Sequence, residues 1–407
     1  MMAFRLLVCG FAISAILLDF HPAIASEPLQ VSVDFPSGSG EVLAIDQEKR
    51  AIAIRPTPHV DRGWACWWYV KIDGIEAGQV IKLTVGDAPW ATPDRVAFST
   101  DNETWSQTEP GTRQGRTITY RHKVDAGSCW FAWGPPFTPA DAQQLVDSAA
   151  KESPHAESFQ LCRTRAGRAV PALHVREDNP DLPDGQRHGI WIQARQHAWE
   201  SGSSWVAQGF VRWLTSDDDR AVLLRRSADI YIVPIMDVDN VFVGAGGKNQ
   251  KPHDHNRDWS DQPHWNAVRE AQRRISALNA EDRFDLFIDL HNPGAGSKAP
   301  FFYIAPRKLL AEAGKQNLDR FLASARLDMT GPLAFKGHTQ ESGENYDRKW
   351  RRISKNWVTF NTSDHVVSVT LETAWNTPHS TPEGYQRVGS DLGRAIERYF
   401  RTEAAAE

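Results

Sequence analysis

The segment HGIWIQARQHAWESGSSWVAQGFVRWLTS, residues 188–216, contains the change of pattern that decides the fold. Its first part, GIWIQAR, is a short apolar run of the kind found in a buried strand. Its last part, SSWVAQGFVRWL, has the apolar spacing of a helix. His197 and Glu200 lie between the two, at the carboxyl end of the strand, where α/β sheets place ligand-binding side chains. The segment therefore predicts an α/β fold and marks this strand end as a candidate site.

The spacing of this histidine and glutamate suits a metal ion, although spacing alone is weak support. Residues at i and i+3 share one face of a helical turn, and zinc binds histidine nitrogen and carboxylate oxygen. With 14 histidines in the chain, roughly one such pair is expected by chance. The sequence contains three of them: His174/Glu177, His197/Glu200 and His338/Glu341. Only the second pair follows a strand and precedes a helix, so its context distinguishes it.

Two further apolar strands end in residues that would complete a zinc site. FDLFIDLH ends at His291 before an Asn-Pro-Gly turn, and VVSVTLET carries Glu372 near its end. A catalytic zinc site usually has three protein ligands and one position open to water. The first strand end thus supplies His197 and Glu200, the second His291 and the third Glu372. We interpret these residues as parts of one site.

The rest of the chain divides into regions of different pattern. Residues 1–25 combine Arg5, the apolar run 6–18 and an A-x-A site, which predicts a cleaved signal peptide. The mature protein is then exported, either periplasmic or secreted, with no stable membrane insertion. Residues 26–138 alternate apolar and polar side chains between turns, which predicts an all-β sandwich domain. Residues 139–154 predict a helical connection, and residues 155–407 predict an α/β domain.

Composition excludes some partners and leaves the cysteines open. The chain of 407 residues has 46 Lys and Arg against 51 Asp and Glu, a net charge of −5, so there is no electrostatic case for nucleic acid. Cys66 and Cys129 both lie in aromatic, strand-like runs. They predict either a disulfide in an oxidising compartment or two buried free thiols, and Cys162 has no evident partner.

Taken in order, these motifs resemble the zinc carboxypeptidases, most closely the cytosolic-carboxypeptidase-like branch with its bacterial members. The motifs that carry the resemblance are ARQHAWESGSSW (194–205), IVPIMDVDN (232–240), DHNRDW (254–259), DLH (289–291) and TLET (370–373). In the N-terminal region WWYVKIDG, RVAFSTDNETW and FAWGPPFTP resemble the domain that precedes the catalytic domain in that branch. The resemblance implies a mixed-sheet α/β catalytic domain behind an all-β sandwich. It also implies hydrolysis of the C-terminal bond of a peptide that has a free carboxylate.

The resemblance further assigns the metal site and the general base. One zinc ion per chain is expected on His197, Glu200 and His291. Glu372 matches the general base that activates the hydrolytic water and then protonates the leaving amine. Asp254 matches the carboxylate that orients the first zinc histidine.

The substrate-binding residues follow the family pattern only in part. Asn256 and Arg257 match the pair that binds the terminal carboxylate of the substrate, a task that suits the bidentate guanidinium. The family has an arginine upstream that stabilises the oxyanion, but Gly247 falls at that position here, and the adjacent Lys248 is the candidate replacement. Tyr346 is the candidate for the family's active-site tyrosine, with simple packing as the alternative.

Two further groups of ionisable residues lie near these motifs. His253 and His255 flank Asp254, and we interpret them as solvated loop histidines because no matched ligand set accompanies them. A basic run could form a specificity pocket for an acidic substrate residue, or it could be a solvated face. The run consists of Arg348, Lys349, Arg351, Arg352 and Lys355.

Three functions are consistent with these sequence motifs. The leading one is an exported zinc metallocarboxypeptidase. The second is a zinc-dependent amidase that acts on cell-wall peptides or other amides. The third is a catalytically impaired, zinc-containing binding protein, for which the missing arginine would mark lost catalysis. Glu372 counts against the third, because a purely structural zinc site does not need a free carboxylate.

Overall fold

The computed structural model describes residues 27–86 and 92–404, so the signal peptide predicted for residues 1–25 lies outside the described residues. The strands of the N-terminal region are β1 (Gln30–Ser32), β2 (Glu41–Asp46), β3 (Ala51–Arg55), β4 (Tyr69–Asp73), β5 (Gln79–Val85), β6 (Ala97–Ser99), β7 (Ser106–Gln107), β8 (Thr112–Gln114), β9 (Thr117–Val124) and β10 (Ser128–Ala132). They form two five-stranded sheets, ordered β1-β4-β10-β6-β7 and β2-β3-β5-β9-β8.

Alternation along these strands explains why two sheets form. In β3 and β5 every second side chain is buried, including Ile52, Ile54 and Leu83, while the residues between them are partly exposed. Val70 and Ile72 of β4 in the other sheet join the same apolar core. Strands that are apolar on one face stabilise each other by burying those faces together. The all-β N-terminal region predicted from the sequence is thereby confirmed.

After helix α1 (Pro139–Glu152), the chain forms one eight-stranded sheet, ordered β11-β12-β14-β13-β15-β18-β16-β17. Its strands are β11 (Ala156–Arg163), β12 (Ala169–Val175), β13 (His188–Ala194), β14 (Ala228–Val233), β15 (Phe284–His291), β16 (Phe301–Ile304), β17 (Thr339–Glu341) and β18 (Val367–Glu372). The helices are α2 (Ser201–Leu214), α3 (Asp219–Ser227), α4 (Val238–Val243), α5 (Asn266–Ala280), α6 (Glu312–Asp328), α7 (Ser354–Asn361) and α8 (Pro382–Ala404). Parallel central strands with antiparallel pairs such as β11–β12 and β16–β18 make the sheet mixed, as predicted.

The register of the central strands positions the candidate site. Strands β14, β13, β15 and β18 are parallel neighbours, so their carboxyl ends meet at one edge of the sheet. The pairing sets Ala194 beside Leu290 and His291 beside Glu372. The loop after β13 carries His197 and therefore lies next to His291 and Glu372. This is the edge at which α/β sheets bind their ligands.

Helix α2 begins directly after Glu200 and is held in place by close packing against α8. A side chain at Gly209 would come within 2.0 Å of the Gln386 carbonyl oxygen, and one at Gly389 within 2.1 Å of the Val206 carbonyl oxygen. Glycine at both positions lets the two helix backbones approach closely. This contact fixes the start of α2 and, with it, the position of Glu200.

The cysteines form no disulfide among the described residues. Cys66, Cys129 and Cys162 are all free thiols, and the first two are buried. The Cys66–Cys129 disulfide is therefore wrong, and the alternative of two buried thiols is confirmed. Burial in apolar surroundings raises the pKa of both thiols, which keeps them protonated. Within residues 27–86 and 92–404, none of the helices has the length and apolarity needed to cross a bilayer.

Candidate metal centre and active site

His197, Glu200 and His291 converge on one buried point at the carboxyl edge of the sheet. Glu200 Oε1 lies 2.7 Å from His197 Nδ1, and Glu200 Oε2 lies 2.6 Å from His291 Nδ1. The candidate ligand atoms of the three residues are all within 4.8 Å of one another. Two imidazoles and one carboxylate are the donor set of a catalytic zinc site that keeps an open position. The three residues therefore fit one zinc ion, as the sequence predicted.

The turn that carries the first ligand is held by buried polar groups. Arg195, which is buried, donates from Nε to the Ala198 carbonyl oxygen at 2.7 Å. Behind the site, Asn292 Oδ1 accepts from Ser203 N at 2.7 Å, and its Nδ2 donates to the Thr373 carbonyl oxygen at 2.6 Å. The Arg195 bond holds the β13 turn itself, and the two Asn292 bonds connect the segment after β15 to the start of α2 and the end of β18. Hydrogen bonds thus hold the segments that carry the ligands, as a catalytic site requires.

Each zinc histidine has a carboxylate on its outer nitrogen. Asp254 Oδ1 lies 3.5 Å from His197 Nε2, which places Asp254 where the resemblance implied. Asp289 Oδ2 lies 2.9 Å from His291 Nε2, a partner that the sequence reasoning missed. Carboxylates in this position fix the orientation of the imidazole and raise its basicity as a ligand. The signal for Asp289 was present, because residues i and i+2 share one face of a strand and Asp289 precedes His291 by two.

Glu372 lies beside the metal ligands, and one of its carboxyl oxygens has no hydrogen-bond partner among the described residues. It is 8% exposed, lines the central cavity, and has its Oε2 buried and unpaired among the described residues. Burial raises the pKa of Glu372 above its ordinary value, and the negative charge of Glu200 adds to the shift. An unpaired, desolvated carboxyl group is able to take up and release a proton.

The two buried glutamates of the site have pKa values shifted in opposite directions. Burial alone would raise the pKa of Glu200, but the imidazoles of His197 and His291 outweigh burial and hold it below the ordinary value. Glu200 is therefore an ionised carboxylate, ready to bind a cation, while Glu372 has the greater affinity for a proton. Such a separation assigns the ligand and the acid–base group to different residues.

The predicted carboxylate-binding pair lies on the wall of the same cavity, in a 3₁₀ turn of residues His255–Arg257. Asn256 Oδ1 accepts from Ser354 N at 2.9 Å, which fixes its amide. Arg257 Nε donates to Asp347 Oδ2 at 2.8 Å, and Arg257 Nη1 donates to the Asn256 carbonyl oxygen at 2.9 Å. The guanidinium is thus held in one orientation at the edge of the cavity, as a carboxylate receptor needs to be.

Lys248 reaches the metal site, and the structure explains why its neighbour is glycine. Lys248 lines the cavity with Nζ 3.4 Å from His197 Nε2. Gly247 has φ +79°, and a Cβ there would come within 2.7 Å of Asp237 Oδ2 and 2.8 Å of Ala198 N. Only glycine fits this backbone conformation and this close approach. A cation in this loop can therefore reach the cavity from position 248 but not from 247.

Two tyrosines occur at the cavity, although the sequence reasoning named one. Tyr346 is 46% exposed, and its ring lies 5.2 Å from that of Tyr303 and 5.9 Å from the Arg257 guanidinium carbon. Tyr303, in β16, also lines the cavity. Burial raises the pKa of the Tyr303 phenol, so it stays protonated. No motif marks Tyr303 in the sequence, because it is one aromatic residue in an ordinary strand.

The basic run is mostly a surface feature, and among its five members only Lys355 lines the cavity of the metal ligands. Arg348, Lys349, Arg351 and Arg352 are exposed. Lys355 is fully buried and lines the cavity, with Nζ 2.6 Å from both Ser342 Oγ and Asn356 Oδ1. Burial lowers the pKa of Lys355 well below its ordinary value. The structure thus reduces the hypothesised pocket to one lysine.

The interpretation of His255 as solvated is wrong, and His253 is only partly exposed. His255 is 5% exposed and stacks on the Trp265 ring, with centroids 4.8 Å apart. Its Nδ1 is 3.1 Å from Gln250 Nε2. His253 is partly buried and pairs with Asp258. Both histidines brace the loop that carries Asn256 and Arg257, and among the described residues only the His197, Glu200 and His291 set forms a metal-ligating cluster.

Comparison with known proteins gives two matching families. Residues 142–386 match the family model described as zinc carboxypeptidase, and residues 31–133 match the cytosolic carboxypeptidase N-terminal domain. The chain is similar in fold to a crystal structure of a metallo-carboxypeptidase from Burkholderia cenocepacia, with a TM-score of 0.80 and 21% identity. That likeness covers 92% of this chain and 100% of the other.

Two sequence relatives show how far the similarity extends. An uncharacterized protein from Zymomonas mobilis is 27% identical over 240 residues, which are 57% of this chain and 60% of that protein. Cytosolic carboxypeptidase 2 from Xenopus tropicalis is 27% identical over 181 residues, which are 43% of this chain and 19% of that protein. The chain thus spans less than two thirds of the length of both curated relatives.

Proposed function

This chain belongs to the zinc carboxypeptidase family, and on that premise we propose that it is a zinc-dependent carboxypeptidase, which removes the last residue from peptides with a free terminal carboxylate. One observation carries the proposal. A single cavity is lined by the three metal ligands, by the unpaired carboxyl group of Glu372 and by Arg257. A structural zinc site or a simple binding site would not need a metal with an open position, a proton acceptor and a carboxylate receptor together.

The residues of the cavity divide the chemistry among them. When bound, zinc polarises the scissile carbonyl, lowers the pKa of the attacking water and favours the ionised form of nearby carboxyl groups. Glu372 accepts the proton of that water and later donates a proton to the leaving amine. Its desolvated position suits both steps, because a group with a raised pKa binds the proton well enough to deliver it.

Binding of the substrate end selects the bond that is cleaved. Arg257 and Asn256 receive the terminal carboxylate, so the adjacent peptide bond lies over the metal ligands. Lys248 lines the same cavity, and in this proposal its ammonium group stabilises the negative charge that develops on the carbonyl oxygen. The ammonium group of lysine is a point charge, so it orients an oxyanion less strictly than the planar guanidinium of arginine does. We therefore expect Lys248 to contribute less to catalysis than an arginine would.

The side chain of the removed residue is proposed to be acidic. Lys355 lines the cavity as a buried amine whose two hydrogen-bond partners are neutral. A carboxylate on the substrate would pair directly with this amine and would favour the ammonium form of Lys355. A glutamate or aspartate side chain fits this chemistry, whereas an apolar side chain would offer the amine no further hydrogen-bond acceptor.

Export belongs to the proposal and needs its own test. The support is the sequence of residues 1–25, in which a basic residue, an apolar run and an A-x-A site follow one another. Fractionation of cells that express the full chain, with amino-terminal sequencing of the product, should give an exported protein that begins at Ser26. An intracellular product that begins at Met1 would contradict export and would leave the catalytic proposal untouched.

The catalytic proposal is tested on the protein from Ser26 onward, with zinc content measured on the same sample. A peptide library is incubated with and without chelator, and the products are identified by mass spectrometry. We expect chelator-sensitive loss of single C-terminal residues. The matched control is the same library with amidated C-termini, which should resist cleavage because Arg257 has no carboxylate to bind. Equal cleavage of both libraries would favour the amidase, and zinc-loaded protein that cleaves neither would favour the binding protein.

A further inference from the structure

A segment of the N-terminal domain, residues 61–64, runs along the loop of the catalytic domain that carries Lys248. Three backbone hydrogen bonds connect the two: Gly247 N donates to the Arg62 carbonyl oxygen, Trp64 N to the Lys248 carbonyl oxygen and Lys251 N to the Asp61 carbonyl oxygen, each at 2.9 Å. Bonds on both sides of Lys248 hold its backbone to the N-terminal domain. The loop of the candidate oxyanion residue is therefore fixed from outside its own domain.

The contact is as close as two backbones permit. Gly63 has φ +87°, and a Cβ on it would come within 2.3 Å of the Lys248 carbonyl oxygen. The Arg62 side chain extends the contact, since its Nη1 donates to Asn240 Oδ1 at 2.9 Å. Asn240 in turn donates from Nδ2 to Asp237 Oδ2 at 2.7 Å, which is the atom that faces Gly247. The segment thus touches the loop through its backbone and through a buried polar network beneath it.

Trp64 extends from this segment into the active-site cavity. Its partly buried side chain lines the cavity together with His197 and Lys248, and Lys248 Nζ lies 5.7 Å from the centroid of its ring. Trp64 is thus the residue of the N-terminal domain that lines this cavity among the residues the structure describes. Aromatic walls of this kind bind peptide side chains through a large apolar face.

The position of Trp64 relative to the other groups indicates which part of a substrate it meets. In the proposed binding mode, Arg257 and Lys355 take the terminal carboxylate and the last side chain. Lys248 lies beside the metal ligand His197 and lines the same cavity. A ring that lies next to Lys248 is then within reach of the residue on the amino side of the cleaved bond. We propose that the N-terminal domain completes the active site, with Trp64 binding the residue before the cleaved bond and the 61–64 segment positioning Lys248. This inference rests on the proposed carboxypeptidase function.

The first test measures kcat and KM for two blocked dipeptides that share the preferred C-terminal residue and carry either phenylalanine or glycine before it. We expect Trp64→Ala to lower kcat/KM for the phenylalanine peptide by about tenfold, mainly through KM, and to change the glycine peptide by less than about twofold. Trp64→Phe should restore most of the loss. The matched control is Trp130→Ala, because Trp130 is also partly buried in the N-terminal domain, with Lys71 Nζ 5.1 Å from its ring centroid.

The second test addresses the positioning of Lys248. Gly63→Ala should lower kcat for both peptides, because the added methyl group displaces the Lys248 backbone. Gly78→Ala is the control: its φ is +85°, so the backbone strain is similar, but its Cβ would meet nothing closer than Lys123 Cε at 3.6 Å. Gly63→Ala should lose more stability than Gly78→Ala, because its methyl group also overlaps the Lys248 carbonyl oxygen, and only Gly63→Ala should lose kcat.

The outcomes separate this inference from the proposed function. Active wild-type protein with an unchanged ratio of the two peptides in Trp64→Ala, or with equal losses in Trp64→Ala and Trp130→Ala, would overturn the role of Trp64. Equal kcat in Gly63→Ala and Gly78→Ala would overturn the positioning of Lys248. Wild-type protein that is zinc-loaded but cleaves neither peptide would overturn the proposed function and this inference together.

Discussion

Replacing Lys355 with glutamine should change which peptides are cleaved without removing the catalytic groups. Lys355 is fully buried in α7, and its Nζ donates to Ser342 Oγ and Asn356 Oδ1, both at 2.6 Å. Glutamine is of comparable length and retains a hydrogen-bond donor for the Asn356 oxygen. The substitution therefore removes the amine that can become an ammonium ion, while it leaves the local hydrogen bonding largely satisfied.

The expected magnitude follows from the burial of the site. Removing one partner of a buried, hydrogen-bonded charge pair costs about 2–5 kcal/mol. Each ~1.4 kcal/mol is a factor of ten. Because glutamine keeps one hydrogen bond, we expect the lower part of this range, a fall of about a hundredfold in kcat/KM for peptides that end in glutamate. Peptides that end in glutamine are nearly isosteric and uncharged, and their kcat/KM should change little.

The assay compares two blocked dipeptides that differ only in glutamate or glutamine at the C-terminus. The variants are Lys355→Gln and the matched control Lys349→Gln, an exposed lysine of the same basic run, which should behave as wild type. Equal losses on both peptides in Lys355→Gln would refute the charge argument and point to a packing defect. A wild-type protein that prefers the glutamine peptide would refute the acidic substrate class itself.

The same lysine predicts a pH dependence whose sign can be worked out. Burial holds the pKa of Lys355 well below its ordinary value in the free protein, whereas a bound carboxylate favours the ammonium form. Binding of a glutamate-ended peptide is therefore coupled to proton uptake. The KM of the glutamate-ended peptide should rise as the pH rises through the pKa of Lys355 in the free protein. The KM of the glutamine-ended peptide should not show this rise. Lys355→Gln should abolish the difference between the two pH profiles.

Three further predictions concern the catalytic groups and the metal. Glu372→Gln should lower kcat by about 10²–10⁴, while zinc content, measured by mass spectrometry, stays at the wild-type level; zinc loss in this variant would instead make Glu372 a ligand. Gly247→Arg should not increase kcat, because the φ of +79° at Gly247 and the nearby Asp237 carboxylate exclude a side chain. The variant should also lower the free energy of unfolding, measured in denaturant, by about 1–3 kcal/mol. A stable variant with a higher kcat would contradict this account. Removal of zinc with a chelator should lower the Tm reversibly, since zinc at a hundred times its Kd adds about 2.7 kcal/mol to the free energy of unfolding. An unchanged Tm after complete zinc removal would contradict this and would show that the protein is equally stable without the ion.

The metal centre could be predicted from the sequence because its residues stand at the ends of recognisable strands. Parallel strands bring their carboxyl ends to one edge, so His291 and Glu372 could be placed beside His197 before the structure was known. Asp289 could have been found in the same way, from the strand alternation that puts it on the same face as His291. Local periodicity was sufficient for all of these residues.

Other features depend on contacts that no local pattern encodes. The basic run contains five cations, but only the start of α7 turns inward, so burial and not charge density selects Lys355. Trp64 and Lys248 are distant in sequence and meet through contact between two domains. Cys66 and Cys129 lie in similar aromatic strands, yet alternation along a strand says nothing about whether two sulfur atoms are close enough to bond.

Position 247, which the resemblance aligns with the family's arginine, leaves no room for a side chain, and the reason also involves the N-terminal domain. The backbone at position 247 is left-handed, and the Asp237 carboxylate lies where a side chain at position 247 would begin. A cationic side chain at position 247 therefore cannot extend from the loop into the cavity. Asp237 is held there by Asn240, which is held in turn by Arg62 of the N-terminal domain. The same domain binds the backbone on both sides of Lys248. The contact that excludes a side chain at one position thus fixes the neighbouring cation at the cavity, and removing the N-terminal domain should disable the catalytic domain even if that domain still folds.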